Sequence, residues 1–171
     1  MSKIINFIKD FKWVIIFLIL LQIVLSIVIP KCVIRFQVNG SSMNDTFQNE
    51  DVLIGREYVL SSPKKGDIVV FKSHEGPDYI KRIIATPGDT ISMKENVVKV
   101  NGSVISEPYI KKPNEYINVD EIKIPKNQYF VMGDNRDQSK DSRYEEVGLV
   151  DISEIKAKIY MRVKPTIKFG Y

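Results

Sequence analysis

The run Tyr79-Ile80-Lys81-Arg82-Ile83-Ile84 decides how this chain is to be read. Apolar and charged residues share a short segment that Pro87-Gly88 then closes, the pattern of a β-strand ended by a turn. Side chains alternate along a strand, so Tyr79, Lys81 and Ile83 share one face and Ile80, Arg82 and Ile84 the other. Lys81 is therefore bracketed by an aromatic and a β-branched residue. Where that face is covered, the ammonium loses solvation and its pKa falls, leaving a neutral amine that can act as a general base. Arg82 has no such option, because a guanidinium does not release its proton in proteins. The strand alone also allows a blander reading, in which a solvated lysine blunts an edge strand.

The 171 residues suffice for one sizeable domain plus an extra segment. Hydrophobic content of 44% against 27% charged places the chain among folded proteins. The net charge of +4 is scattered, so it argues against a nucleic-acid partner and for a weak attraction to an anionic membrane surface. The lone cysteine, Cys32, excludes an internal disulfide and Cys-rich zinc sites, and reads as a small packing residue. The single histidine, His74, excludes His-x-x-x-His metal sites; set in Ser-His-Glu-Gly-Pro-Asp, it reads as a solvated loop residue. Phosphate-binding G-x-x-x-x-G-K and dinucleotide G-x-G-x-x-G loops are absent from the sequence. No metal and no cofactor is expected.

Residues 1–12 form a short basic N-terminus. From Trp13 to residue 29 the chain is uncharged, with Gln22 and Ser26 as its polar side chains, and reads as a transmembrane helix over 13–30 ended by Pro30 and Lys31. No small-x-small cleavage site follows it, which argues against a removed signal peptide. Lysines and arginines flank both ends, so charge does not set the orientation. The remainder, 31–171, reads as one mainly β domain. Strands are expected at 32–38, 51–59, 67–71, 79–84, 90–93, 96–100, 116–124, 128–132 and 155–163. Asn101-Gly102 marks a hairpin. Residues 133–143 are expected as a long polar loop.

With a histidine base set aside, a serine activated by a lysine remains, a known variant of triad chemistry. Gly40-Ser41-Ser42-Met43 offers an exposed serine on a tight turn whose backbone N–H groups can hold an oxyanion. Composition does not rank Ser41 against Ser42.

Three stretches, in order, resemble the type I signal peptidases, membrane-anchored endopeptidases that remove signal peptides from exported proteins. They are residues 38–46, residues 66–71 with 79–84 and 87–89, and Met132-Gly133-Asp134-Asn135-Arg136-Asp137-Gln138-Ser139-Lys140-Asp141-Ser142-Arg143. The resemblance implies Ser42, just before Met43, as nucleophile and Lys81 as general base. It implies that Ser139 hydrogen-bonds Lys81 and orients its amine, with Asp141 and Arg143 as an ion pair bracing the loop. Phe36, Val38, Met43 and Ile80 fall where the family lines two shallow pockets for small side chains. The implied fold is one N-terminal transmembrane helix followed by an antiparallel β-sheet catalytic domain with a reduced accessory subdomain. The implied reaction is removal of signal peptides from secreted precursors by cutting after Ala-x-Ala-type junctions, at the extracytoplasmic face of the cell membrane. The implied partners are those precursors and the phospholipid membrane.

The chain departs from the family at three places. Asp45 stands where proline is usual, Gly40 where some members carry a serine that helps the oxyanion hole, and Ala85 where glycine is common. Two other readings compete: a non-catalytic, membrane-anchored relative that assists assembly of pili or surface proteins, and a self-cleaving Ser-Lys repressor. The presence of both serine and lysine argues against the first. The membrane helix and the lack of a DNA-binding segment argue against the second.

Overall fold

The computed structural model describes residues 2–28, 33–44, 46–58, 61–74, 76–111 and 117–171, with side chains of the N-terminal helix from residue 11 to residue 27. The chain divides into two compact units, Met1–Ile34 and Arg35–Tyr171.

The first unit is helix α1, Ser2–Ile23, continued by a π-helical turn, Val24–Val28. The helix starts well before Trp13, the expected onset. Large apolar side chains stand exposed along it, from Phe11 through Trp13, Phe17 and Leu20 to Ile27. Its polar pair answers itself: Gln22 Nε2 donates to Ser26 Oγ at 2.9 Å, one turn on. Among the described residues no helix is long and apolar enough to cross a membrane. Pro30, Lys31 and Cys32, the expected helix end and packing cysteine, lie outside the described residues.

The second unit is mainly β. Its strands are β1 Ile34–Gln37, β2 Val52–Arg56, β3 Ile68–Phe71, β4 Tyr79–Ala85, β5 Thr90–Lys94, β6 Val97–Val100, β7 Ser103–Val104, β8 Val119–Lys123, β9 Gln128–Met132, β10 Val150–Asp151, β11 Ile155–Lys164 and β12 Lys168–Phe169. The main sheet runs β1-β2-β11-β3-β4-β9-β10, with β12 on β11, and a smaller sheet runs β7-β6-β5-β8. The pairings described within both sheets from β2 onward are antiparallel. Strand ends differ from the sequence expectation by a few residues, and the short pairs β7, β10 and β12 carry too little periodicity to be read in advance.

The continuous apolar run of β3 is buried along its whole length, as suits a central strand. β4 lies between β3 and β9, so Lys81 stands on an interior strand and not on a solvated edge. Lys81 sits opposite Val69, and Arg82 opposite Ile68. The alternation read from sequence is realised in the packing. Ile83 joins a core of Val69, Phe71, Tyr129 and Val131, with Tyr79 against it. Ile80 packs on the opposite cluster of Val38, Met43, Phe47, Leu53, Ile68 and Val70. A third core closes the smaller sheet onto β4 and β9 through Ile84, Ala85, Ile91, Val98 and Phe130. Ala85 is fully buried there. The hairpin between β6 and β7 turns at Asn101 (φ +53°) and Gly102 (φ +76°).

Candidate active site

The serine-bearing loop connects β1 to β2. It is closed at its base by Val38 N donating to the Asp51 carbonyl (2.9 Å) and Glu50 N to the Val38 carbonyl (2.8 Å). Gly40 turns the chain at φ +108°, a conformation that a side chain would strain. Asn44 N then donates to the Ser41 carbonyl and Phe47 N to the Met43 carbonyl. Met43 and Phe47, both buried, nail this loop into the core beneath it. Asp45 lies outside the described residues.

A second loop, after β9, holds the first from the other side. Asn135 donates twice, from its backbone N to the Ser42 carbonyl and from its side-chain amide to the Ser41 carbonyl, both at 3.0 Å. Gly133 is wedged between the loops: a Cβ there would stand 2.2 Å from Ser139 Oγ and 2.4 Å from the Ser42 carbonyl oxygen. Only a residue without a side chain lets the backbones approach this closely.

Across this junction Lys81 Nζ donates to Ser42 Oγ at 2.8 Å. Lys81 is 3% exposed, and its Nζ lies 4.9 Å from the centre of the Tyr79 ring. Its pKa is lowered from 10.5 to about 8. Burial is the main cause; the Asp141 charge opposes it and the Arg143 charge assists it. Ser41 faces no such amine in the hydrogen bonds of the site; its carbonyl is taken by Asn44 and Asn135.

Ser139 is buried beside Gly133, but its hydroxyl donates to Asp141 Oδ2 at 2.7 Å. The hydrogen bonds described for Lys81 and Ser139 do not join the two residues as expected; Lys81 donates to Ser42, and donation to Asp141 leaves the Ser139 oxygen its acceptor lone pairs. Asp141, fully buried, also accepts from Gly133 N and from the Arg143 guanidinium, with Nε 2.8 Å from Oδ1.

Arg82 projects from the opposite face of β4. It donates to both Asp134 oxygens at 2.9 and 2.7 Å and to the Gly66 carbonyl, and lies over the Tyr109 ring at 4.0 Å. Thr46 Oγ1 donates to the same Asp134, tying the serine loop to this pair. Arg136, also buried, makes two hydrogen bonds to Glu107. Sequence reasoning missed Glu107 and Tyr109. They sit in Glu107-Pro108-Tyr109, where proline marks irregular chain and no periodicity marks a face.

A groove of about 780 Å³ opens along the site. Phe36, Val38, Met43 and Ile80 line it together with Ser42, Tyr79 and Lys81. His74 is not among its lining residues; it is exposed, 3.3 Å from Glu154. Among the described residues no group of three or more metal-ligating side chains is assembled. A hydroxyl held by a buried, weakly basic amine beside a groove can carry nucleophilic attack without either.

Comparison with known proteins gives concordant results. The family model described as "Signal peptidase, peptidase S26" matches residues 9–164. Signal peptidase IB of Staphylococcus aureus (strain MRSA252) is 34% identical over 170 residues, covering 87% of each chain. Signal peptidase I of Bacillus licheniformis is 36% identical over 154 residues, 82% of this chain and 81% of that one. The crystal structure of a signal peptidase I from Enterococcus faecalis V583 aligns with a TM-score of 0.50 and 29% identity, over 58% of this chain and 98% of that one.

Proposed function

Because the chain belongs to the type I signal peptidase family, peptidase S26, we propose that its endopeptidase reaction is carried by Ser42 as nucleophile and Lys81 as general base. One observation carries the assignment: the Lys81 amine is buried, 2.8 Å from Ser42 Oγ, with no carboxylate among its hydrogen-bond partners in the described residues. With the amine neutral, the contact reverses and the Ser42 hydroxyl donates to Nζ. Ser42 attacks the scissile carbonyl as Lys81 takes its proton, and Lys81 then protonates the leaving amine. Water activated by the same lysine clears the acyl-enzyme. The Ser42 N–H stabilises the oxyanion, a contribution of roughly 3–4 kcal/mol for a donor of this kind. Gly40 supplies no side chain to add a second donor.

The substrate is a secreted precursor lying extended in the groove beside the edge strand β1 and pairing through its backbone. Small side chains on the acyl side of the cut enter the pockets lined by Phe36, Val38, Met43 and Ile80. The exposed apolar helix serves as a single membrane anchor, since so large an apolar surface is unfavourable in water. The catalytic domain stands on the extracytoplasmic face, with a short cytoplasmic N-terminus. About a dozen residues separate Pro30 from Ser42 along the chain.

Cleavage of a precursor with an Ala-x-Ala junction tests the assignment. Ser42→Ala and Lys81→Ala are each expected to abolish it, by a thousandfold or more in order of magnitude, while Ser41→Ala keeps most of it. An active Ser42→Ala enzyme overturns the reading.

A further inference from the structure

We propose that Arg143 is a positioning residue acting through charge: its guanidinium cancels Asp141, the buried carboxylate next to the dyad, so that Lys81 is not locked as an ammonium. The inference rests on Lys81 being the base.

The geometry places one anion where it endangers that base. Asp141 is fully buried and bonds Gly133 N at 2.9 Å and Ser139 Oγ at 2.7 Å. Gly133 in turn abuts the Ser42 carbonyl. The carboxylate is thus bonded to a backbone that packs directly against the one carrying the dyad's serine. A negative charge in the neighbourhood of a buried amine favours its protonated form.

Arg143 answers that charge at close range. Its Nε and Nη2 reach the two Asp141 oxygens at 2.8 and 3.0 Å, and its side chain is 1% exposed. The pair therefore presents little net charge to Lys81. The opposed effects of the two residues on the lysine agree with this reading.

Among the described residues, the other charges around Lys81 are engaged or exposed. On its own strand stands Tyr79, and across β3 the apolar Val69. Asp134 is held by Arg82 on the far face of β4. Asp78 is held by Lys156, and Arg35, Glu50 and Lys140 line the groove with exposed side chains.

A purely structural brace is the competing account, since Arg143 Nη2 also donates to the Arg136 and Ser139 carbonyls. The two accounts separate in a pH profile. A brace lowers the rate equally at every pH. Charge cancellation moves the acidic limb of kcat/KM.

The experiment measures kcat/KM on the precursor from pH 6 to 11 for the full-length enzyme in detergent. Arg143→Gln is expected to move the acidic limb upward by about one pH unit or more, so that its deficit shrinks about tenfold on going from neutral to alkaline pH. Asp141→Asn is expected to move the limb downward, and the double variant to return it close to wild type. Arg143→Lys keeps the charge and the limb position whatever its rate. An unmoved limb in Arg143→Gln overturns the proposal. If that variant does not fold, Asp141→Asn, which keeps an oxygen for Gly133 and Ser139, decides by the same criterion. A wild-type profile with no acidic limb would instead sink the amine base itself, a distinct outcome.

Discussion

Lys81 and Arg82 are neighbours on one buried strand, yet the two faces of β4 treat their charges in opposite ways. Arg82 is given everything a buried cation needs: both oxygens of Asp134, a backbone carbonyl and an aromatic face. Lys81 is given a neutral hydroxyl and the Tyr79 ring, while the nearby carboxylate is paired to Arg143. Burial penalises a charge, and pairing offsets the penalty. Full pairing makes a fixed structural charge. Withheld pairing leaves an amine whose pKa falls to about 8, close enough to neutrality to exchange a proton during catalysis.

Stability measurements can break this contrast, because the two neighbours are expected to respond with opposite signs. The larger effect belongs to Arg82→Met, which strands Asp134 in the interior. It is expected to cost about 3–5 kcal/mol in chemical denaturation, as breaking a buried pair usually does. A loss below about 1 kcal/mol would mean that Asp134 finds another partner.

Lys81→Met is expected to stabilise the fold by about 1–2 kcal/mol at pH 7 while abolishing cleavage. The folded-state pKa is depressed, so the unfolded chain binds more protons between about 8 and 10.5. The cost of burying the lysine is therefore greatest below about pH 8 and disappears as pH rises through 10.5. The gain from Lys81→Met should follow the same course. A destabilised Lys81→Met at pH 7 would show the amine to be a paired structural cation like its neighbour.

The smallest effect sharpens the assignment of Ser139. Its hydroxyl addresses Asp141, so Ser139→Ala should cost about 1 kcal/mol of stability. The acidic limb of activity should shift less than in Asp141→Asn. A larger shift than that would mean that Ser139 acts on the amine directly.

Much of this was legible along the chain. Period-two patterning located β4 and the faces of Lys81 and Arg82, since alternation depends only on strand geometry. The glycine-serine turn and the polar stretch after β9 were visible as local chemistry. What stayed hidden depends on distant residues meeting. Glu107 holds Arg136, Tyr109 covers Arg82, and Gly133 is a glycine because Ser42 and Ser139 press on it. The helix α1 also begins before the uncharged stretch that starts at Trp13, because helical backbone does not require an uncharged run.

By itself the sequence determined the class of the domain, the order of its strands along the chain and the side of β4 from which Lys81 projects, because these follow from local periodicity and turn chemistry. It could not determine that β4 lies inside the sheet, that a serine 39 positions away comes within 2.8 Å of the amine, or that Ser139 turns to Asp141. Those outcomes were decided by tertiary structure. Desolvation and charge pairing act through space, and only the packed sheet brings the burying surfaces and the countercharges to one point.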